Sequence, residues 1–193
     1  MKIIFRHDDV LDISHPDPFP YFERVHEIFK KHNRSEFVHT PTIVVEDIQT
    51  WPYAVDYIRE EVAKGRLHPQ LHGFQHIHYD QLTRDEMGEH LIKSMLWMEK
   101  ELGVAPTKWY TPWGAEDDSL RAVAWGVKLK LVGTKGVLKT RDALARLRKP
   151  QHYPIESWDN QTVMFHWWDY DIVNRIEQIL SGLGSLLDER VLS

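Results

Sequence analysis

Cysteine is absent from the 193-residue chain, which removes disulfides, thiolate nucleophiles and cysteine-ligated zinc together. No apolar run approaches the roughly 20 residues that cross a bilayer as a helix, so no membrane span is expected. Internal repeats, low-complexity tracts and linker-like stretches are also lacking. Charged residues at 27% beside 42% hydrophobic exclude wholesale disorder. Nor is there a surplus of positive charge. The 24 Lys and Arg are outnumbered by 29 Asp and Glu, for a formal net charge of −5, so no nucleic acid or anionic membrane is expected as a partner. The opening residues Met-Lys-Ile-Ile-Phe-Arg-His-Asp-Asp run straight into a strand-like segment with no signal-peptide apolar core, giving the expectation of a cytoplasmic protein. Histidine is what the chain has in quantity: 12 residues, many beside carboxylates and aromatics.

Short apolar strands alternate with amphipathic helices. Lys2–Arg6 reads as a strand ending in His7-Asp8-Asp9. A helix over Pro20–His32 places Phe22, Val25 and Phe29 on one face, and Glu36–Val45 is a β-rich run interrupted by Pro41. Trp51–Lys64 repeats the helical period and stops at Gly65. Thr83-Arg-Asp-Glu86 is a capping box, opening a helix with Met87, Leu91, Met95, Met98 and Leu102 on one stripe. Strands are expected at Leu71-His72, Lys108–Tyr110, Leu129–Gly133 and Val163–His166, with helices from Asp118, over Thr140–Lys149 and over Ile172–Leu187. This alternation favours a mostly parallel α/β sheet or barrel, read as a single catalytic domain over 1–193. Its last part, 171–193, is expected to pack on the barrel as an amphipathic helix, with a homodimer through that helix as the second reading.

Three clusters can carry chemistry: His7-Asp8-Asp9, His72-Gly-Phe-Gln-His76 and Phe165-His166. Each falls at the C-terminal end of an expected strand, and those ends share one rim in an α/β sheet or barrel. Two imidazoles and a carboxylate make a divalent-metal site with positions left open. Adjacent carboxylates at a strand end can divide their tasks, one holding a metal and the other taking a proton. Pro69 and Gly73 argue for a strand-to-loop setting of His72 and His76, and an isolated H-x-x-x-H is more often structural. Asp-Asp followed by that motif and a later strand-end His is the stronger signal.

In this order the motifs resemble the polysaccharide deacetylase family, carbohydrate esterase family four. Arg6-His7-Asp8-Asp9-Val10 is similar to its first motif, T-F-D-D-G. His72–His76 is similar to its H-(S/T)-x-x-H, Trp109-Tyr-Thr-Pro-Trp-Gly114 to its F-R-P-P-Y-G, and Met164-Phe-His166 to its last motif. The resemblance implies a distorted (β/α) barrel and a metal-dependent hydrolase that removes N-acetyl groups from an amino sugar or glycan. It also implies that Asp8 is the general base, that Asp9, His72 and His76 are metal ligands, and that His166 is the general acid. The backbone N–H of Trp113 is then an oxyanion donor. Zinc is the first choice from the ligand types, with iron, cobalt, nickel or manganese compatible.

Two departures shape the expectation. The third motif's Arg, which orients the catalytic Asp, corresponds to Tyr110, and Arg6 is expected to compensate because residues two apart on a strand share a face. The family's D-x-x-D-W motif has only the poor match Ser157-Trp158-Asp159. Trp113 and Trp167 are expected to line the site, with Tyr110 beside them, for an N-acetylated sugar, glycan or glycolipid. Three alternatives stand: a non-catalytic carbohydrate-binding protein on a degenerate deacetylase scaffold, a 2-His-1-carboxylate iron oxygenase, and a His-Asp phosphohydrolase suggested by His7-Asp8. The basic stretch Lys128–Lys149 reads as a solvated face.

Overall fold

The computed structural model describes residues 1–10, 18–166, 168, 169 and 171–192. Trp167 lies outside them. In chain order the elements are β1 (Ile3–Val10), α1 (Phe19–His32), β2 (Phe37–Val44), α2 (Val45–Ile48) and α3 (Pro52–Ala63), then β3 (Gln70–Gly73), α4 (Arg84–Trp97) and β4 (Lys108–Tyr110). They continue with α5 (Asp118–Gly126), β5 (Lys130–Val132), β6 (Leu138–Lys139), α6 (Thr140–Leu147), β7 (Thr162–His166) and α7 (Ile172–Leu192). All strand pairs are parallel, in the order β5-β4-β3-β2-β1-β7-β6. The sheet curls into the distorted (β/α) barrel expected from the alternation.

Local signals hold at most boundaries. Thr83 accepts the N–H of Glu86 while the Glu86 carboxylate accepts the N–H of Thr83, closing the capping box of α4. Asp117 caps α5 through the N–H of Leu120. Pro41 does not interrupt its run. It sits inside β2 opposite His7, and there three steps along β1 match only two along β2. The proline removes a donor from the ladder, and the bulge in β1 falls beside that gap.

Two apolar clusters hold the layers. One gathers Ile43, Leu71, Trp109 and Leu131 from β2–β5 against Ile58, Leu91 and Leu120 of α3, α4 and α5. The other gathers Ile3, Phe5, Val163 and Phe165 of β1 and β7 against Val25, Ala143, Ile176, Ile179 and Leu183. The apolar stripe of α7 is thus buried within the chain, where the helix packs on α1 and α6.

Beneath the central strands lies an unusual polar inclusion. His7, His26, His39 and Glu61 are all buried. Glu61 accepts a hydrogen bond from His26 Nε2 at 3.1 Å, and the two Nδ1 atoms of His26 and His39 stand 3.1 Å apart. The rings of His7 and His39 stack among Phe22, Phe29 and Phe165. Burial lowers the pKa of His39 well below its usual value, aided by His26 and His7. Burial and the charge of His166 lower His7 to about 3. His26 is also lowered by burial, although Glu61 opposes the shift.

These histidines fold neutral, so the unfolded chain binds more protons as soon as pH falls below its imidazole pKa of about 6.5. Stability is therefore full above that pH and declines below it, by up to about 1.4 kcal/mol per pH unit for each histidine still neutral in the fold. Urea unfolding at neutral pH and near pH 5 is expected to show a lower midpoint at the acid value with an unchanged denaturant slope.

Candidate active site

The bulge in β1 decides where two carboxylates go. In a regular strand Asp8 and Asp9 point to opposite faces. Here Asp9 has φ 53°, a left-handed conformation that Asp tolerates better than most residues. Asp8 and Asp9 consequently both line one cleft of about 240 Å³, together with Arg6, His72, His76, Thr111, Trp113, Gly114, Thr134, Met164, His166 and Trp168. Strand pairing brings the far end of the sequence in, since Asp8 is the register partner of His166 on β7.

His72 and His76 are presented by β3 and the loop after it. Trp109 Nε1 donates to the carbonyl of His72 at 2.9 Å, and the Tyr79 hydroxyl accepts the N–H of Phe74 at 2.7 Å. Gly73 makes this close approach possible: a Cβ there would lie 2.7 Å from that hydroxyl and 2.9 Å from the Gln75 carbonyl oxygen. The Nε2 atoms of His72 and His76 each stand 2.9 Å from Asp9 Oδ1. Among the described residues, these three form the group able to hold a metal ion.

The donor set fits a divalent cation on two further observations. His72 Nδ1 donates to the Tyr110 carbonyl at 2.5 Å, so in the neutral ring the lone pair is on Nε2, toward Asp9. Asp9 Oδ1 is buried without a hydrogen bond of acceptable geometry, despite two imidazole nitrogens beside it. A lone pair and a carboxylate oxygen aimed at each other are what a shared cation resolves.

Arg6 is where the strand alternation put it. Its Nε donates to Asp8 Oδ1 at 2.5 Å, the Thr42 hydroxyl donates to the same oxygen at 3.0 Å, and the guanidinium lies over the Tyr110 ring at 4.5 Å. Tyr110 itself is buried and does not form the cleft wall. It contributes its carbonyl to His72 and its ring to Arg6, and burial raises its phenol to about 12, with the charge of Asp8 adding to the rise against that of Arg6. His166 Nε2 is 3.7 Å from Asp9 Oδ2, and the other nitrogen, Nδ1, is 3.7 Å from Asp169 Oδ2. Burial works to lower the His166 pKa, but Asp169, Asp8 and Asp9 outweigh it, so the net shift is upward. Trp113, with φ 59°, is 64% exposed, and its ring stacks on His78 at 5.3 Å and approaches His76 at 4.9 Å.

No family model and no curated protein matches the chain; solved structures do. A family 4 carbohydrate esterase from Streptomyces lividans, in complex with acetate, matches with TM-score 0.68 and 15% identity over 95% of this chain and 88% of that one. The fold is that of the family 4 carbohydrate esterases. The peptidoglycan deacetylase PdaC from Bacillus subtilis shares it at TM-score 0.63 and 18% identity, covering 98% of this chain and 93% of its own. A CE4 family pseudoenzyme from Bacillus anthracis shares it at TM-score 0.71 and 15% identity, where the chain covers 95% of itself and 61% of that protein. The esterase fold is parallel α/β throughout.

The carboxylates and three histidines read from the motifs thus meet in one cleft of the esterase fold. His7 does not join them: its ring is buried on the opposite face with neither nitrogen hydrogen-bonded, which leaves the phosphohydrolase reading without its histidine. The cleft also contains Thr134, Met164 and Trp168, and Thr42 reaches Asp8 from β2. Met164 belongs to the last motif and Trp168 stands two residues after His166, whereas Thr134 and Thr42 carried no sequence signal. A larger hollow of about 570 Å³ lies at the other ends of the strands, lined by Lys2, Lys30, Arg34 and Arg66. Lys30 sits in the last turn of α1, where the helix dipole favours cations.

Three substitutions test the ligand group. Purified wild type loaded with Zn²⁺ is expected to retain about one ion, and His72→Ala and His76→Ala to lose it while still folded. Asp9→Asn keeps a residue that accepts the left-handed backbone, so it is expected to retain thermal stability and lose metal. Metal analysis beside thermal melts reads both properties.

Proposed function

We propose that the chain is a metal-dependent hydrolase that removes N-acetyl or related acyl groups from an amino sugar or glycan. The observation that carries the reading is the convergence of Asp9, His72 and His76 on one point, with Asp8 and His166 lining the same cleft on paired strands. The deacetylase-fold neighbours support it, since two of them are a family 4 carbohydrate esterase and a peptidoglycan deacetylase.

Asp9, His72 and His76 would hold a divalent ion, which would supply Lewis acidity toward the acyl carbonyl and make a water more acidic. Zinc suits two imidazoles and a carboxylate best, with iron, cobalt, nickel or manganese also compatible. The chain's own residues divide the rest. Asp8 accepts a proton from the attacking water. Arg6 and Thr42 both hold its Oδ1, which fixes the carboxylate and leaves Oδ2 for that proton. His166 protonates the departing amine from Nε2, the nitrogen on the Asp9 side. The backbone N–H of Trp113 stabilises the oxyanion, a contribution of about 3–4 kcal/mol for one well-placed donor. The exposed face of Trp113 and the Trp168 ring offer apolar surface to a pyranose.

Acetate release from N-acetylated amino sugars and chitin- or peptidoglycan-type oligomers, by metal-loaded protein, tests the assignment. Asp8→Asn is expected to lower kcat by about 10²- to 10⁴-fold with metal retained, the usual contribution of a general base. Arg6→Ala is expected to lower kcat and also stability, because it leaves Asp8 buried without its cation, a change of about 3–5 kcal/mol. A metal-loaded wild type that binds such glycans and releases no acetate would overturn the hydrolase reading in favour of the binding protein. Tyr110 in the place of the motif's Arg is what favours that second reading.

A further inference from the structure

The segment that carries His76 departs from its motif at one place. Where H-(S/T)-x-x-H has a hydroxyl side chain, this chain has Gly73. Glycine is not needed there for a left-handed backbone, since Gly73 is not among the positive-φ glycines. It is needed for room. A Cβ at 73 would lie 2.7 Å from the Tyr79 hydroxyl and 2.9 Å from Cε2 of the same ring. The phenol therefore occupies the space of the missing side chain and brings a hydroxyl to it from further along the chain.

That hydroxyl accepts the N–H of Phe74 at 2.7 Å and the N–H of Gln75 at 3.4 Å. Phe74 and Gln75 are the residues between Gly73 and His76, so both N–H groups of the bend turn inward onto one acceptor. From the other side the N–H of Glu46, in the first turn of α2, donates to the Phe74 carbonyl at 2.8 Å, and the Gln75 amide donates to the Glu46 carboxylate at 3.0 Å. The phenol is itself fixed. Tyr79 is fully buried and stands edge-on to Trp109 with centroids 5.1 Å apart. His72 lies on β3 and takes its support from β4, through Trp109 Nε1 and the Tyr110 carbonyl. His76 lies beyond the strand, so its reach to Asp9 depends on the bend. We propose that Tyr79 is the positioning residue of this loop, its phenol hydroxyl standing in for a Ser or Thr hydroxyl at 73 and fixing the bend that sets His76 beside Asp9. This rests on Asp9, His72 and His76 as the metal ligands.

The bland role of Tyr79 is that of a core ring whose hydroxyl only satisfies a buried N–H. Tyr79→Phe keeps the ring and removes the hydroxyl. Zinc affinity is measured by competition with a chromophoric chelator, beside thermal melts of the metal-free protein. Tyr79→Phe is expected to bind zinc about 10- to 100-fold more weakly than wild type, the effect of losing a group that orients a metal ligand. A core role alone would lower the melting temperature and leave that affinity unchanged. Gly73→Ala reaches the same contact from the other side, because its Cβ displaces the hydroxyl, and is expected to weaken zinc binding as well. Since the two changes share one contact, the double variant is expected to lose less than the product of the single losses. Wild-type zinc affinity in Tyr79→Phe, or single losses that multiply in the double variant, would overturn the proposal. If Tyr79→Phe does not fold, wild-type affinity in Gly73→Ala overturns it alone. A wild type that binds no zinc removes the ligand group and this proposal together, whereas zinc held without acetate release defeats only the hydrolase reading.

Discussion

The site depends on one extra residue in β1. Without the bulge, Asp8 and Asp9 would stand on opposite faces of the sheet, one in the cleft and the other against the second apolar cluster. The left-handed backbone at Asp9 brings its carboxylate round to the two imidazoles. Pro41, opposite on β2, has already removed the donor that a regular ladder would need there. Strain at a non-glycine residue costs of order 1–3 kcal/mol and persists only where the surroundings determine it. Here the flanking strands β2 and β7 and the ligand group do so.

Much of the scaffold was legible because local and global signals agree. The capping box at Thr83, the Gly65 stop and the stripe of α7 are local chemistry, and the expected strands and helices formed within a few residues of their places, while the short α2 and β6 were not anticipated. The strand ends were legible for the same reason, since parallel topology carries every such end to one rim. The bulge was not legible. A proline in a central strand reads as an interruption, and only the paired register shows that β1 accommodates it.

The site was legible where chemistry is concentrated in motifs, and opaque where it is shared through space. Asp8, Asp9, His72, His76 and His166 could be named from their order along the chain. Arg6 could be placed by strand periodicity alone. Tyr110 was expected at the cleft and lies beneath it, because its ring packs against the Arg6 guanidinium. Thr42 gave no sign of its position, since a threonine in a buried strand looks like any other core residue. Trp167 falls outside the described residues.

The placement of Arg6, Asp8 and Asp9 has a consequence for how the candidate site comes apart. All three belong to β1, which lies inside the sheet with β2 on one side and β7 on the other. Such a strand exchanges its protons only when the whole domain opens, unlike a loop-borne site that can fray alone. The carboxylate pair therefore has no cheap local route to disorder. Partial heating or mild denaturant would reach the loop bearing His76 and the Trp113 turn first, so the wall of the cleft would loosen before the carboxylates lose their geometry. In this chain the most strained part of the site is also the last to come apart.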